Sequence, residues 1–285
     1  MKLLILGANG QLGSDLCRLA AVGHEVVAMR HADLDVRDAA AIGRALAAHR
    51  PEAVINTSAF HKVEVCEQEA ESAFAVNAIA VLNLARACAE AGAALVHFST
   101  DYVFDGAKGA PYVESDLPAP VNVYGASKAA GELLARAFCP KHFVIRTTGL
   151  YGKAGSNGKG GNFVETMLRK ARAGEAIRVV HDQVLTPTYT VDLAAKVLEL
   201  LGSGRYGLYH VTSEGQCSWY DFAAKIFELS GLRPDLQPVS SAEFRSPVRR
   251  PAYSVLAKAG LRAIGLAPPP AWPDALARYL REPAR

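Results

Sequence analysis

Residues 2–13, KLLILGANGQLG, leave the chain little choice of local structure. A five-residue apolar run ends at Gly7, glycines recur at Gly10 and Gly13, and a helix opens near Gln11. A short continuous apolar run bounded by glycine makes a strand buried on both faces. Glycines in the spacing GxxGxxG make a tight turn whose backbone another group can approach closely. The helix that follows offers free N–H groups and the positive end of its dipole to an anion. Strand, glycine turn and helix in that order form the opening unit of a dinucleotide-binding α/β fold, with a pyrophosphate as the expected ligand.

The rhythm continues. Leu12, Leu16 and Leu19 give helical spacing over 11–22, and GHEVVAM (23–29) reads as a second strand. AAAIGRALAAH (39–49) is helical, AVIN (53–56) a third strand, and 71–92 a long helix that stops at a glycine. ALVHFS (94–99) and HFVIRTT (142–148) are strands four and five, with a helix opening at Tyr124 between them. Apolar strands alternating with helices predict a doubly wound parallel sheet of the Rossmann-like kind. After residue 150 the pattern breaks at AGSNGKGGN (154–162), a glycine-rich loop that reads as a lid over the site or as a plain surface loop. Helix 163–174, strand 176–180, helix 190–201 and strand 207–211 follow, and from Trp219 one more helix precedes SPVRRPAYS (246–254). The expected division is a dinucleotide-binding domain of 1–150 plus about 185–212, and a smaller substrate-binding region of about 151–184 plus 213–285. Trp219 and Tyr220, at a helix start, read as core.

Bulk properties remove several function classes. The chain has 285 residues, half of them hydrophobic, and a formal net charge of +3, too mild to argue for nucleic acid. No apolar run approaches the roughly 18 residues of a membrane span, and the apolar N-terminus is too short for a signal peptide, so a cytoplasmic protein is expected. Cys17, Cys66, Cys88, Cys139 and Cys217 are scattered, and His61, His97, His181 and His210 show no ligand spacing, so no metal site is expected.

The end of strand two selects the cofactor. An acid there suits the ribose of NAD, and a cation suits the 2′-phosphate of NADP. Residues 28–31 hold Arg30 and no acid, which favours NADP with NAD as the alternative. Asp35 and Val36 lie one short loop on, where an adenine would rest. Tyr124 and Lys128 are four apart at a helix start and share one face. Strand four ends in Ser99 and Thr100, at the sheet edge where ligands bind in this fold. Reducing a ketone with hydride leaves an alkoxide that needs a proton. A phenol supplies it better when acidified, and an ammonium about 5 Å away at effective dielectric about 20 brings its pKa to about 8. Thr100 would hold the carbonyl oxygen against that phenol.

GANGQLG, NTSAF, VN (76–77), STDYVFDG (99–106), NVYGASKxxGE, RTTGLYG (146–152), DQxxxPT and RRPAYSVL together resemble the extended short-chain dehydrogenase/reductases, and more closely the dTDP-4-dehydrorhamnose reductase family. The resemblance covers nearly the whole chain. It implies a catalytic set of Thr100, Tyr124 and Lys128, with Lys128 also on the nicotinamide ribose. It places Gly7, Asn9, Gly10, Gln11, Leu12 and Gly13 at the pyrophosphate, Asp35 and Val36 at the adenine, and Ser58, Ala59, Phe60 and Asn77 along the cofactor. Tyr102 and Asn162 are implied near a nucleotide-sugar substrate, whose diphosphate Arg249 or Arg250 would meet. It implies NADPH-dependent reduction of dTDP-4-dehydro-L-rhamnose, and a homodimer. Two positions depart from the family pattern: Gly149 stands where a tryptophan packs on the sugar, and Phe60 where a tyrosine is frequent. A similar outline occurs in the regulatory β subunit of methionine adenosyltransferase, so an NADP-binding subunit without turnover is the competing reading.

Overall fold

The computed structural model describes residues 1–154 and 161–283. The chain begins β1 (Lys2–Leu6), α1 (Gln11–Ala20), β2 (Glu25–Met29), α2 (Ala39–His49), β3 (Ala53–Asn56), α3 (Val63–Gln68) and α4 (Ala70–Phe74). A π-helical turn, Ala75–Ile79, joins α4 to α5 (Ala80–Ala91), and β4 (Ala94–Thr100), α6 (Val123–Phe138) and β5 (His142–Thr147) follow. These strands and β10 (Gly207–His210) form one six-stranded sheet in the order β10-β5-β4-β3-β1-β2, parallel throughout. Strand order reverses between β1 and β3. In such sheets a crevice opens outside the carboxyl ends of the strands at that point.

Alternation along each strand explains the two covered faces. Leu3, Ile5, Ile55, Val96 and Ile145 point one way, against Leu12 and Leu16 of α1 and Leu193, Val197 and Leu200 of α8 (Thr190–Ser203). Leu4, Leu6, Val54, Leu95 and Val144 point the other way, against Ile42, Leu46, Val81, Leu84 and Cys88 on α2 and α5. The 70–91 segment corrects one expectation, because by length and composition it is able to span a bilayer. In the fold it is a core helix with Ala73, Ala78, Ala80, Val81, Leu84, Ala85 and Cys88 buried.

A third apolar cluster lies outside the sheet. It joins Tyr151 of β6 (Leu150–Tyr151), Val164 and Met167 of α7 (Phe163–Arg172), Ile177 of β7 (Ile177–Val180) and Tyr189 of β9 (Thr188–Tyr189). Phe222 and Ile226 of α9 (Trp219–Ser230) and Trp272, Leu276 and Tyr279 of α12 (Trp272–Arg281) complete it. Short pairs connect this region: β8 (Val184–Leu185) with β11 (Cys217–Ser218), and β7 with β12 (Leu236–Val239). The short helices α10 (Ser241–Phe244) and α11 (Ala259–Ala263) lie between β12 and α12. The lid reading for 154–162 falls largely on 155–160, outside the described residues.

Candidate active site

A cleft of about 880 Å³ runs from the β1–α1 turn, past the ends of β3, β4 and β5, to α7 and α9. Its floor is the glycine turn. Gly7 has φ +75°, and a Cβ at Gly13 would sit 2.2 Å from the Gly7 carbonyl oxygen, so neither position takes a side chain without the turn moving. Gly10 occupies the N-cap of α1, and neither a capping side chain nor an acid in the first turn satisfies the leading amides. An anion would therefore find free N–H groups there. Asn9, Gln11 and Leu12 line the same floor, and Asp35, Val36 and Arg37 line its far end. Three buried polar atoms on the wall lack a hydrogen-bond partner: Gln11 Oε1, Ser99 Oγ and Thr147 Oγ1. Buried polar groups are normally paired, so these await a ligand, and the cradle and cleft fit a dinucleotide.

The reactive end lies where β4 stops. Thr100 Oγ1 donates to Asp101 Oδ1 at 3.0 Å and accepts from the Tyr102 backbone N–H at 3.2 Å. The Thr100 hydroxyl and the Tyr124 phenol both line the cleft. Thr100 lowers the Tyr124 pKa, the sense expected of a hydroxyl that favours the phenolate form. α6 starts correctly because Asn122 caps it, its side chain accepting from the Gly125 N–H at 2.8 Å. Gly125 and Gly131 let the helix press on its neighbours: a Cβ at Gly131 would meet the Asn77 carbonyl at 2.1 Å. Lys128, one turn on, is buried and reaches the cleft, its Nζ 3.4 Å from His97 Nε2. Burial pulls the ammonium down to about 8, partly offset by Glu132.

The expected acidification of Tyr124 is reversed. Burial pushes its phenol above the ordinary value, with the Thr100 hydroxyl opposing and the Asp101 carboxylate adding to the rise. Desolvation of the phenolate is the largest effect on this buried phenol and outweighs a neighbouring ammonium.

Other assigned residues fall on both sides. Ser58, Ala59, Phe60, Tyr102 and Asn162 line the cleft. Asn77 does not. Its Oδ1 accepts from the Phe60 N–H and its Nδ2 donates to the Phe60 carbonyl and to Ser127, so it pins the loop after β3. Asn162 is held as the cap of α7, its Oδ1 accepting from the Glu165 N–H and its Nδ2 donating to the Gly152 carbonyl and the Tyr279 hydroxyl. Arg30 stands outside the cleft, its guanidinium forked on Asp33 at 2.9 and 3.1 Å. An acid is thus present three residues beyond the cation, past the window inspected in the sequence. Arg249 is exposed and away from the cleft, its carbonyl accepting from Asn122. Its neighbour Arg250 turns inward to Glu64 and Tyr102.

Of the lining residues that sequence reasoning missed, Asp101 and Trp219 bear most on the chemistry. Asp101 is fully buried, with hydroxyls of Thr100, Thr148 and Ser254 bonded to it and its pKa raised by burial. Its place in FSTD beside Thr100 was the available signal. Trp219, read as core, lines the cleft with Phe163, ring centroids 4.7 Å apart. Among the described residues no cluster of His, Cys, Asp and Glu could hold a metal ion.

The RmlD substrate binding domain profile matches residues 1–284. The chain is 42% identical over 282 residues to the spore coat polysaccharide biosynthesis protein SpsK of Bacillus subtilis (strain 168), covering 99% of this chain and 97% of that one. It is 38% identical over 276 residues to a dTDP-4-keto-6-deoxy-D-glucose reductase of Streptomyces niveus, covering 96% and 94%. The crystal structure of dTDP-4-dehydrorhamnose reductase (RfbD) from Bacillus anthracis in complex with NADP superposes with a TM-score of 0.94, at 39% identity and 98% coverage of both chains. A match over nearly every residue, in sequence and in three dimensions, makes this chain a member of the RmlD substrate-binding-domain family.

Proposed function

We propose that this chain is an NADPH-dependent reductase of a dTDP-linked 4-keto-6-deoxy sugar, with dTDP-4-dehydro-L-rhamnose as substrate and dTDP-L-rhamnose as product. One observation carries the reading: Thr100, Tyr124 and Lys128 share one cleft with an uncapped helix N-terminus and a glycine cradle. Gly7 to Gly13 would hold the reduced dinucleotide, which would supply the hydride for the keto carbon. Asp35 and Val36 would hold the adenine end, Ser58, Ala59 and Phe60 the middle, and Ser99 and Lys128 the nicotinamide end. Thr100 orients the keto oxygen and Tyr124 gives it the proton. Burial keeps that phenol protonated but makes it a weaker acid, so the Lys128 ammonium and an oxidised nicotinamide would have to favour the phenolate as the proton leaves. Lys128 directs N–H groups at the dinucleotide ribose. Residues 1–150 and 185–212 serve the dinucleotide, and 151–184 with 213–285 serve the sugar nucleotide, where Tyr102 and Trp219 stand.

The test is NADPH oxidation with dTDP-4-keto-6-deoxy sugars, run beside NADH. Tyr124→Phe is expected to lower kcat by about 10²- to 10⁴-fold and leave NADPH affinity unchanged. A surviving rate would remove Tyr124 as donor. Tight NADPH binding with no turnover on any sugar of this class would favour the regulatory-subunit reading. Gly149 has φ +57° and Leu185 and Pro187 crowd the space a side chain there would need, so the sugar subsite is shaped by other residues and the screen must cover several epimers.

A further inference from the structure

We infer that His97 is a positioning residue: its Nε2 is the buried acceptor that anchors the Lys128 ammonium from below and leaves the other N–H groups of that ammonium facing the cleft. This deepens the reading above and rests on it for its consequence in turnover.

The placement follows from the sheet. β4 alternates, sending Val96 and Phe98 to one face, so Leu95, His97 and Ser99 lie on the other, beneath α6. Gly131 makes the approach of α6 possible, because a Cβ there would stand 3.3 Å from His97 Nε2 as well as against the Asn77 carbonyl. His97 and Lys128 are 1% and 2% exposed, and their nitrogens are 3.4 Å apart. Among the described residues Lys128 has no carboxylate within salt-bridge distance. Glu132, the nearest acid on its helix, has both oxygens on Arg146. His97 Nδ1 is buried without a partner, so the ring is not part of an ordinary core network. Its contact with Lys128 is the one polar contact it makes among the described residues.

The proton bookkeeping fixes the tautomer. An ammonium is donor only, so Nε2 must be bare and the hydrogen sits on Nδ1. Burial and the facing ammonium keep the ring neutral at ordinary pH. The titratable and charged groups that act on Lys128 are His97 from β4 and Glu132 from α6 itself, with Arg146 from β5 behind Glu132. A neutral acceptor favours the charged form of the lysine, so losing it lowers the pKa. With the folded value near 8, a further fall leaves Lys128 neutral at the pH of the assay.

The experiment titrates Lys128 in protein labelled with ¹³C-lysine, the signal being the one lost in Lys128→Met. It compares wild type with His97→Phe and His97→Gln, each checked by thermal unfolding. His97→Phe is expected to lower the Lys128 pKa by about one unit or more, the size of a hydrogen bond to a charge. His97→Gln, whose amide oxygen accepts, is expected to keep most of it. The basic limb of kcat/KM should move by the same amount in each variant. An unchanged Lys128 titration in His97→Phe overturns the inference. Should that variant not fold, ¹⁵N spectra of the wild-type ring decide: a hydrogen on Nε2 overturns the inference and a bare Nε2 supports it. A shifted Lys128 titration in a protein that reduces no keto sugar upholds the anchor and rejects the reductase, so the two failures are distinct.

Discussion

Glu132→Gln isolates the charge of one buried pair. Glu132 Oε1 and Oε2 accept from Arg146 Nε and Nη2 at 2.8 and 2.7 Å, with both side chains about fully buried. Arg146 also lies over the Phe104 ring and beside His210. Glutamine keeps the shape and one acceptor, but sets an NH₂ against a guanidinium N–H and leaves the cation uncompensated. Breaking a buried pair this way costs about 3–5 kcal/mol. In a chain of this size each kcal/mol moves Tm by roughly 2 °C, so the expected fall is about 6–10 °C. The assay is denaturant unfolding, with Glu132→Leu, Arg146→Met and their double variant completing a cycle. The double variant should lose less than either single change, because no charge is stranded. A Glu132→Gln cost below about 1 kcal/mol, or strictly additive single changes, would show that the arginine finds compensation elsewhere and refute the argument. Glu132 also raises the Lys128 pKa, so the surviving enzyme should lose activity at lower pH than wild type.

Three further outcomes are expected. Gly13→Ala forces a methyl to within 2.2 Å of the Gly7 oxygen; overpacking of this kind costs about 1–3 kcal/mol, and NADPH titration should show the larger loss because the turn itself must open. Arg30→Ala should weaken NADPH binding by about tenfold, the value of one charge-assisted contact, with NADH binding unchanged; equal affinities before and after would mark Arg30 as a solvated partner of Asp33 only. His210 is held down to about 3, by burial first and Arg146 second, against an ordinary 6.5. The unfolded chain therefore binds the extra proton, and stability that is complete above pH about 6.5 drains away as pH falls toward 3. His210→Gln should flatten the dependence of Tm on pH between 7 and 5.

The sheet was legible because each of its strands is a short apolar run ended by a glycine or polar residue, a pattern with few other solutions. The cradle was legible for the same local reason. What escaped notice depends on partners distant in sequence. β12 was hidden by Pro238, which lacks an N–H and weakens the signal of an edge strand. The π turn at 75–79 has no marker of its own; the side chain it carries, Asn77, was given to the cofactor and instead braces Phe60. Arg249 and Arg250 were equal candidates for the diphosphate, and only the fold says which of two adjacent arginines turns inward. The direction of the Tyr124 shift needed the burial of the phenol, which a helix-start motif does not reveal.

β10 adds a consequence for synthesis. The strand that completes the sheet beside β5 arrives only at residues 207–210, after α8 has supplied the apolar cover of the face shared by β1 and β4. A ribosome delivers the amino end first. Until that stretch has emerged, a nascent chain carries β5 with an open edge and Val96 and Ile145 without their lid, the two features that invite aggregation. Once residues 207–210 have emerged the sheet has its sixth strand; a stall before α8 has emerged leaves the apolar face uncovered.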